Sequence, residues 1–204
     1  MRLNRLEFAL MNNPLRAAVQ RYLEVPRLLQ MGGPMAGGRA LEIGCGRGVG
    51  TELILDVFKA DQVDAFDLDP RMVALARRRL RPRSSRARVW VGDATAIPVH
   101  DATYDAVFDF GIIHHIPQWR GALREVARVL KAGGRFYAEE VLARFINHPV
   151  MVRLLDHPRA DRFDAATFHA GLSEAGLVPQ NQIKLAGVMA WFIAARATSG
   201  PTRS

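Results

Sequence analysis

Leu41-Glu42-Ile43-Gly44-Cys45-Gly46-Arg47-Gly48 decides the reading of this chain. An apolar strand, Arg39 to Ile43, runs into a glycine-rich turn, and a helix from about Val49 to Phe58 follows. Glycine carries no Cβ and tolerates positive φ, so such a turn lets backbone approach a ligand closely. The helix after it offers N–H groups at its start. The turn therefore points to a nucleotide-like ligand. Its glycines fall at 44, 46, 48 and 50, as G-x-G-x-G. A dinucleotide fingerprint, G-x-G-x-x-G, needs its third glycine where Val49 or Thr51 stands. A Walker A loop is excluded as well, because no Gly-Lys-Ser/Thr follows.

Outward from the turn, the pattern predicts strands over 62–67, 87–91, 104–110 and 134–141. Helices over 70–80 and 118–130 alternate with them. This alternation implies an α/β fold with a doubly wound parallel sheet. Residues 164–175 read as one more helix, ended by Gly176. Two late strands, about 177–184 and 187–196, are joined by a turn too short for a parallel crossover and should pair antiparallel. Upstream, Pro14 opens a helix that runs to about Val25, with Pro26 as its stop. Gly32-Gly33-Pro34 and Gly37-Gly38 form a hinge. The expected organisation is a helical lid (1–38), a core (39–197) with an insert at about 142–164, and a disordered tail (198–204).

The 204 residues fit one domain, and 49% hydrophobic with 24% charged residues is ordinary for a globular protein. No apolar run approaches a membrane span, and no signal-peptide core follows the basic start, so a cytoplasmic location is expected. A lone cysteine, Cys45, excludes an internal disulfide and a cysteine-rich metal site; no metal is expected. The net charge of +8 is concentrated. Arg77, Arg78, Arg79, Arg81, Arg83, Arg86 and Arg88 supply seven of the eight charges. This cluster reads either as a docking site for an anionic partner or as a solvated helix end, where arginine suits the helix dipole. Arginine outnumbers lysine 25 to 3, which favours compositional bias over a site.

Later stations narrow the ligand. Strand 62–67 ends in Asp67, whose carboxylate can accept both hydroxyl protons of a ribose. Strand 87–91 ends in Gly92-Asp93-Ala94, where an acceptor can meet the exocyclic amine of a purine. Tyr104-Asp105-Ala106-Val107-Phe108-Asp109-Phe110 forms the fourth strand, and Val129-Leu130-Lys131-Ala132-Gly133-Gly134 closes a helix and starts the fifth. In this order the stations, which cover about residues 38–142, resemble the class I S-adenosylmethionine-dependent methyltransferases. They are closest to the small-molecule branch that includes the ubiquinone/menaquinone C-methyltransferases. The resemblance implies a Rossmann-like seven-stranded sheet, mostly parallel with the last strand antiparallel. It also implies S-adenosylmethionine as cofactor and S-adenosylhomocysteine as product.

The resemblance assigns residues as well. Glu42, Gly44 and Gly46 should cradle the methionine part of the cofactor, with Cys45 a small packing residue in the same loop. Asp67 should bind the ribose and Leu68 should lie beside the adenine. Asp93 and Ala94 should meet the adenine edge, and Phe110 and Gly111 should pass near the methionine end. Asp69 should cap the helix that starts at Pro70. Asp105 should be structural.

A sulfonium methyl is already activated, so a base is needed only if the acceptor must lose a proton. Candidates at the strand ends are His114 and His115, Glu139 and Glu140, with His157 in the insert. Adjacent histidines do not share a helix face and make a poor chelate. Their alternative role is to cap the turn. Strand alternation sends Glu139 and Glu140 to opposite faces. The expected acceptor is small and apolar or aromatic, and lipid- or quinone-like molecules belong to that class. The N-terminal stretch carries Leu6, Phe8, Leu10, Leu15, Val19, Tyr22 and Leu23 with Arg2, Arg5, Arg16 and Arg21. It reads either as a lid on the core or as a peripheral membrane surface (residues 1–25). A nucleic-acid methyltransferase docking through Arg77–Arg88 is an alternative. It is disfavoured because the cluster falls at the amino edge of the sheet and the fourth strand does not end in Asn/Asp-Pro-Pro-Tyr. A non-catalytic cofactor-binding regulatory domain is the other alternative. The oligomeric state is not legible.

Overall fold

A computed structural model describes residues 13–147 and 161–198. His157, the apolar residues before Asn13, and most of the insert and tail lie outside the described residues.

Seven strands form one sheet in the order β3-β2-β1-β4-β5-β7-β6. They are β1 (Arg39–Ile43), β2 (Gln62–Asp67), β3 (Ala87–Val91), β4 (Tyr104–Phe110), β5 (Leu130–Val141), β6 (Leu177–Leu185) and β7 (Met189–Arg196). All neighbours through β5 pair parallel, whereas β7 runs antiparallel between β5 and β6. The chain order reverses between β1 and β4, where a doubly wound sheet opens its binding crevice at the carboxyl ends of the strands. Leu41, Ile43, Val107 and Phe108 are fully buried, as a central strand covered on both faces requires.

Helices cover both faces. The described ones are α1 (Pro14–Val19), α2 (Val25–Gly32), α3 (Val49–Asp56), α4 (Pro70–Leu80), α5 (Trp119–Val129), α6 (Ala143–Ile146) and α7 (Ala165–Glu174). In α5, Trp119, Ala122, Leu123, Val126 and Ala127 make a buried stripe at helical spacing. Asp69 caps α4 by accepting from Arg71 N–H (2.9 Å), and Asp164 caps α7 through Thr167 N–H (2.7 Å). Arg128 ties the loop after β3 to α5, donating to the carbonyls of Ile97 and Val99 and to Asp101. Asp105 accepts from Arg39 N–H and from Lys131.

Two sequence expectations need correction. Pro26 does not stop the first helix. A π turn, Gln20–Glu24, joins α1 to α2, and the Val25 N–H donates to Gln20 O rather than to Arg21 O. The widened turn admits the proline ring, which lacks an N–H and would clash with an ordinary i−4 carbonyl. The fifth strand also starts earlier than residue 134. Leu130 already pairs with Tyr104, and the register then shifts so that Ala106 meets Arg135. Gly133 at φ +74° takes up the extra residues.

Helix α7 reaches α5 closely at Gly171, where an added Cβ would come within 2.5 Å of the Trp119 ring. Gly171→Ala should therefore lower stability by about 1–3 kcal/mol through overpacking, despite alanine's better helix propensity. Chemical denaturation checks this; a stabilised variant would contradict the packing.

Candidate functional site

The ends of β1, β2, β3 and β4 surround one cavity of about 160 Å³. Its wall includes all ten residues assigned from the sequence: Glu42, Gly44, Cys45, Gly46, Asp67, Leu68, Asp93, Ala94, Phe110 and Gly111. The glycine turn makes this possible. Gly44, Gly46 and Gly48 sit at φ +67°, +52° and +83°. At Gly44 an added Cβ would strike the Ile112 side chain, and at Gly50 it would overlap the Glu42 carboxyl group. The turn is pinned to the next strand, since Gly46 N–H donates to Asp67 Oδ2 (2.9 Å) and Asp69 N–H donates to Asp67 Oδ1 (2.9 Å). Each oxygen keeps a second lone pair, so Asp67 can still accept from a diol. Burial raises its pKa, and these two N–H groups pull against that rise. Asp93 uses Oδ1 for the N–H and hydroxyl of Thr95 (both 2.8 Å).

Sequence reasoning missed part of the wall: Arg16, Gln20, Phe66, Met72, Ile112 and Ile116 also line the cavity. Arg16 and Gln20 arrive from a helix separated from the glycine turn by the hinge, and no motif marks them. Glu42 is 2% exposed and accepts from Thr51 Oγ1. Burial pushes its pKa up to about 8. Cys45 is buried, and burial raises its thiol well above the usual range, so it is a poor nucleophile.

The catalytic candidates separate. His115 lines the cavity, whereas His114 faces a smaller one of about 10 Å³ with Trp119 and Phe163. Both belong to a 3-10 turn, Ile113–His115, and their rings lie 4.2 Å apart. Neither Glu139 nor Glu140 lines the cavity, because each is drawn into the core on its own side of β5. Glu140 accepts from Ile113 N–H (2.8 Å) and His114 N–H (3.2 Å), with His114 Nδ1 at 2.5 Å. Asp109 accepts from Ile112 N–H (2.9 Å). These two carboxyl groups clamp the turn that carries His115. Burial raises Glu140 to about 7 and lowers His114 to about 4, so His114 is neutral. Burial, and then Glu140 beside it, raises Asp109 well above the usual carboxylate range. Glu139 accepts from Trp191 Nε1 (2.8 Å) and lies 3.8 Å from Arg16; burial keeps it well above the usual range. Among the described residues, no group of three or more His, Cys, Asp or Glu is arranged to hold a metal ion.

The glycine turn, the acid ending β2 and the acid after β3 thus meet in one cavity. Residues 40–134 match the methyltransferase domain family. The chain is 33% identical over 109 residues to a fatty-acid O-methyltransferase of Mycolicibacterium smegmatis, covering 53% of this chain and 39% of that one. It is 31% identical over 130 residues to a phthiotriol/phenolphthiotriol dimycocerosates methyltransferase of Mycobacterium tuberculosis, covering 63% and 46%. The chain therefore spans less than half the length of these curated relatives. The fold is that of geranyl diphosphate C-methyltransferase from Streptomyces coelicolor A3(2), solved with S-adenosyl-L-homocysteine: TM-score 0.69 at 16% identity, covering 85% of this chain and 75% of that one. Over this region the chain is thus similar to S-adenosylmethionine-dependent methyltransferases.

The buried Glu42 yields a pH test. Its pKa is raised on folding, so the folded chain holds a proton that the unfolded chain loses from about pH 4.5. This share of stability is present at low pH and is lost as pH rises toward 8. Glu42→Gln should lose less stability than the wild type between pH 5 and 8. Equal losses in denaturation midpoints would contradict a buried neutral Glu42.

Proposed function

We propose that this chain transfers a methyl group from S-adenosylmethionine to a small apolar acceptor of lipid-like character. One observation carries the reading: four strand ends bring a glycine turn, Asp67 and Asp93 into one cavity. The residues fit the cofactor. Gly44 and Gly46 line the cavity with bare backbone that a ligand can approach closely, Asp67 suits the ribose diol, and Leu68, Met72 and Ala94 supply apolar surface beside Asp93 for an adenine. When bound, S-adenosylmethionine supplies a methyl on a sulfonium that needs no further activation.

The chain's own residues then have few tasks. The cavity wall positions an acceptor near Phe110, Gly111 and Ile112, where proximity and orientation supply much of the rate. His115 is placed to orient the acceptor or take its proton. Asp109, Glu140 and His114 act through it as positioning groups.

The two relatives named for lipid substrates support an apolar acceptor, and quinones fall in the same class. Nothing favours nucleic acid. Five of the seven clustered arginines are already engaged: Arg77 with Val89 O, Arg79 with Glu52, Arg83 with Glu52 and Asp56, Arg86 with Ala60 O and Asp61 O, and Arg88 over the Trp90 ring.

The test is labelled methyl transfer into a fractionated cell extract. Label should enter the lipid and apolar-metabolite fractions, and His115→Ala should lower the rate by about 100-fold or more if the acceptor gives up a proton. Label confined to RNA or protein would overturn the acceptor class.

A further inference from the structure

The helical segment from Pro14 to Gly32 has two different faces. Arg16, Ala17 and Gln20 line the cofactor cavity, and Glu24, Val25 and Leu28 are buried against the core. The other side carries Leu15, Val19, Tyr22 and Leu23, exposed at 72, 37, 76 and 52%. Residues 15, 19 and 22 recur at the spacing of one helical stripe, and Leu23 widens it. A run of large exposed apolar side chains on one element marks an interaction surface, unlike apolar residues scattered singly.

Charge narrows the occupant. Glu24 is the sole acid between residues 13 and 32, and it turns inward onto Arg16 at 2.6 Å. Arg21 lies exposed beside Tyr22. The outward side is thus apolar with positive charge and no negative charge. A second copy meeting this face about a two-fold axis would set Arg21 against Arg21 with no acid to answer it. An anionic lipid surface answers both features, since apolar side chains enter the acyl boundary while arginine stays with the headgroups. Tyrosine suits that boundary too.

We propose that the Leu15-Val19-Tyr22-Leu23 face docks on an anionic lipid surface. The inner side of the same segment walls the cavity, so docking brings the cavity alongside the bilayer that holds an apolar acceptor. The inference rests on the methyl-transfer reading above.

Vesicle flotation of the full chain tests it, with phosphatidylcholine alone or mixed with phosphatidylglycerol. Binding should be strong on the mixed vesicles and fall severalfold when salt is raised to about 0.5 M, because screening weakens the headgroup contact. Tyr22→Ser/Leu23→Ser should lose binding about tenfold, and Arg21→Glu should lose the preference for phosphatidylglycerol. Neither variant touches the cavity wall, so calorimetric affinity for S-adenosylhomocysteine should stay unchanged and shows that each variant is folded. Absent vesicle binding by the wild type, or equal binding by the variants, overturns the docking face while leaving methyl transfer standing. A Tyr22-dependent dimer in light scattering without vesicle binding overturns it in favour of a second copy. Wild-type chain that binds vesicles but not S-adenosylhomocysteine overturns the methyl-transfer reading, and with it the purpose assigned to this face.

Discussion

The hydrogen bond from Gly46 N–H to Asp67 Oδ2 holds the site together. It joins the turn after β1 to the end of β2 and fixes where the backbone passes the cavity. A second bond, Cys45 N–H to Phe66 O (2.9 Å), runs parallel to it, and Gly48 N–H closes the turn on Cys45 O (2.8 Å). Leaving a buried N–H unpaired costs about 1–3 kcal/mol, so losing Asp67 would loosen the turn as well as remove an acceptor. The turn in turn sets the approach of Ile112, whose side chain occupies the space a Cβ on Gly44 would need.

Beneath the cavity lies a set of buried acids, of which Glu42 alone reaches its wall. Glu42 holds Thr51 of α3, Asp109 and Glu140 hold the turn at residues 112–114, and Glu139 holds Trp191 and faces Arg16. A lone buried carboxylate is costly, and each of these takes hydrogen bonds or stays neutral instead. Their effect is to fix the strand ends and to leave His115, among the described candidates for a base, as the one on the cavity wall. The arginine cluster follows similar logic at the opposite edge, where most members tie α4 and the turn after it to α3 and the neighbouring strands.

The sheet and the cavity wall were legible because their signals are local. Glycine spacing, an acid closing each of two strands and alternating apolar runs all follow from backbone geometry within a few residues. The ten assigned wall residues lie together for that reason. The roles of Glu139 and Glu140 were not legible, since a strand-end acid reads alike whether it faces a cavity or clamps a buried turn. Arg16 and Gln20 were missed because their place depends on how a distant helix folds back over the hinge. Pro26 misled because a proline normally ends a helix, and only the π turn, a tertiary accommodation, lets the segment continue.

On the proposed reading, this cavity holds the adenosine and methionine parts of S-adenosylmethionine with Asp67 on the ribose. Titration calorimetry with S-adenosylhomocysteine on the wild type and on Asp67→Ala tests it most directly. The wild type should bind saturably and the variant at least about tenfold more weakly, which corresponds to losing about 1.4 kcal/mol. Equal affinity in the two proteins would contradict the ribose assignment, and NAD binding of comparable strength would contradict the cofactor itself.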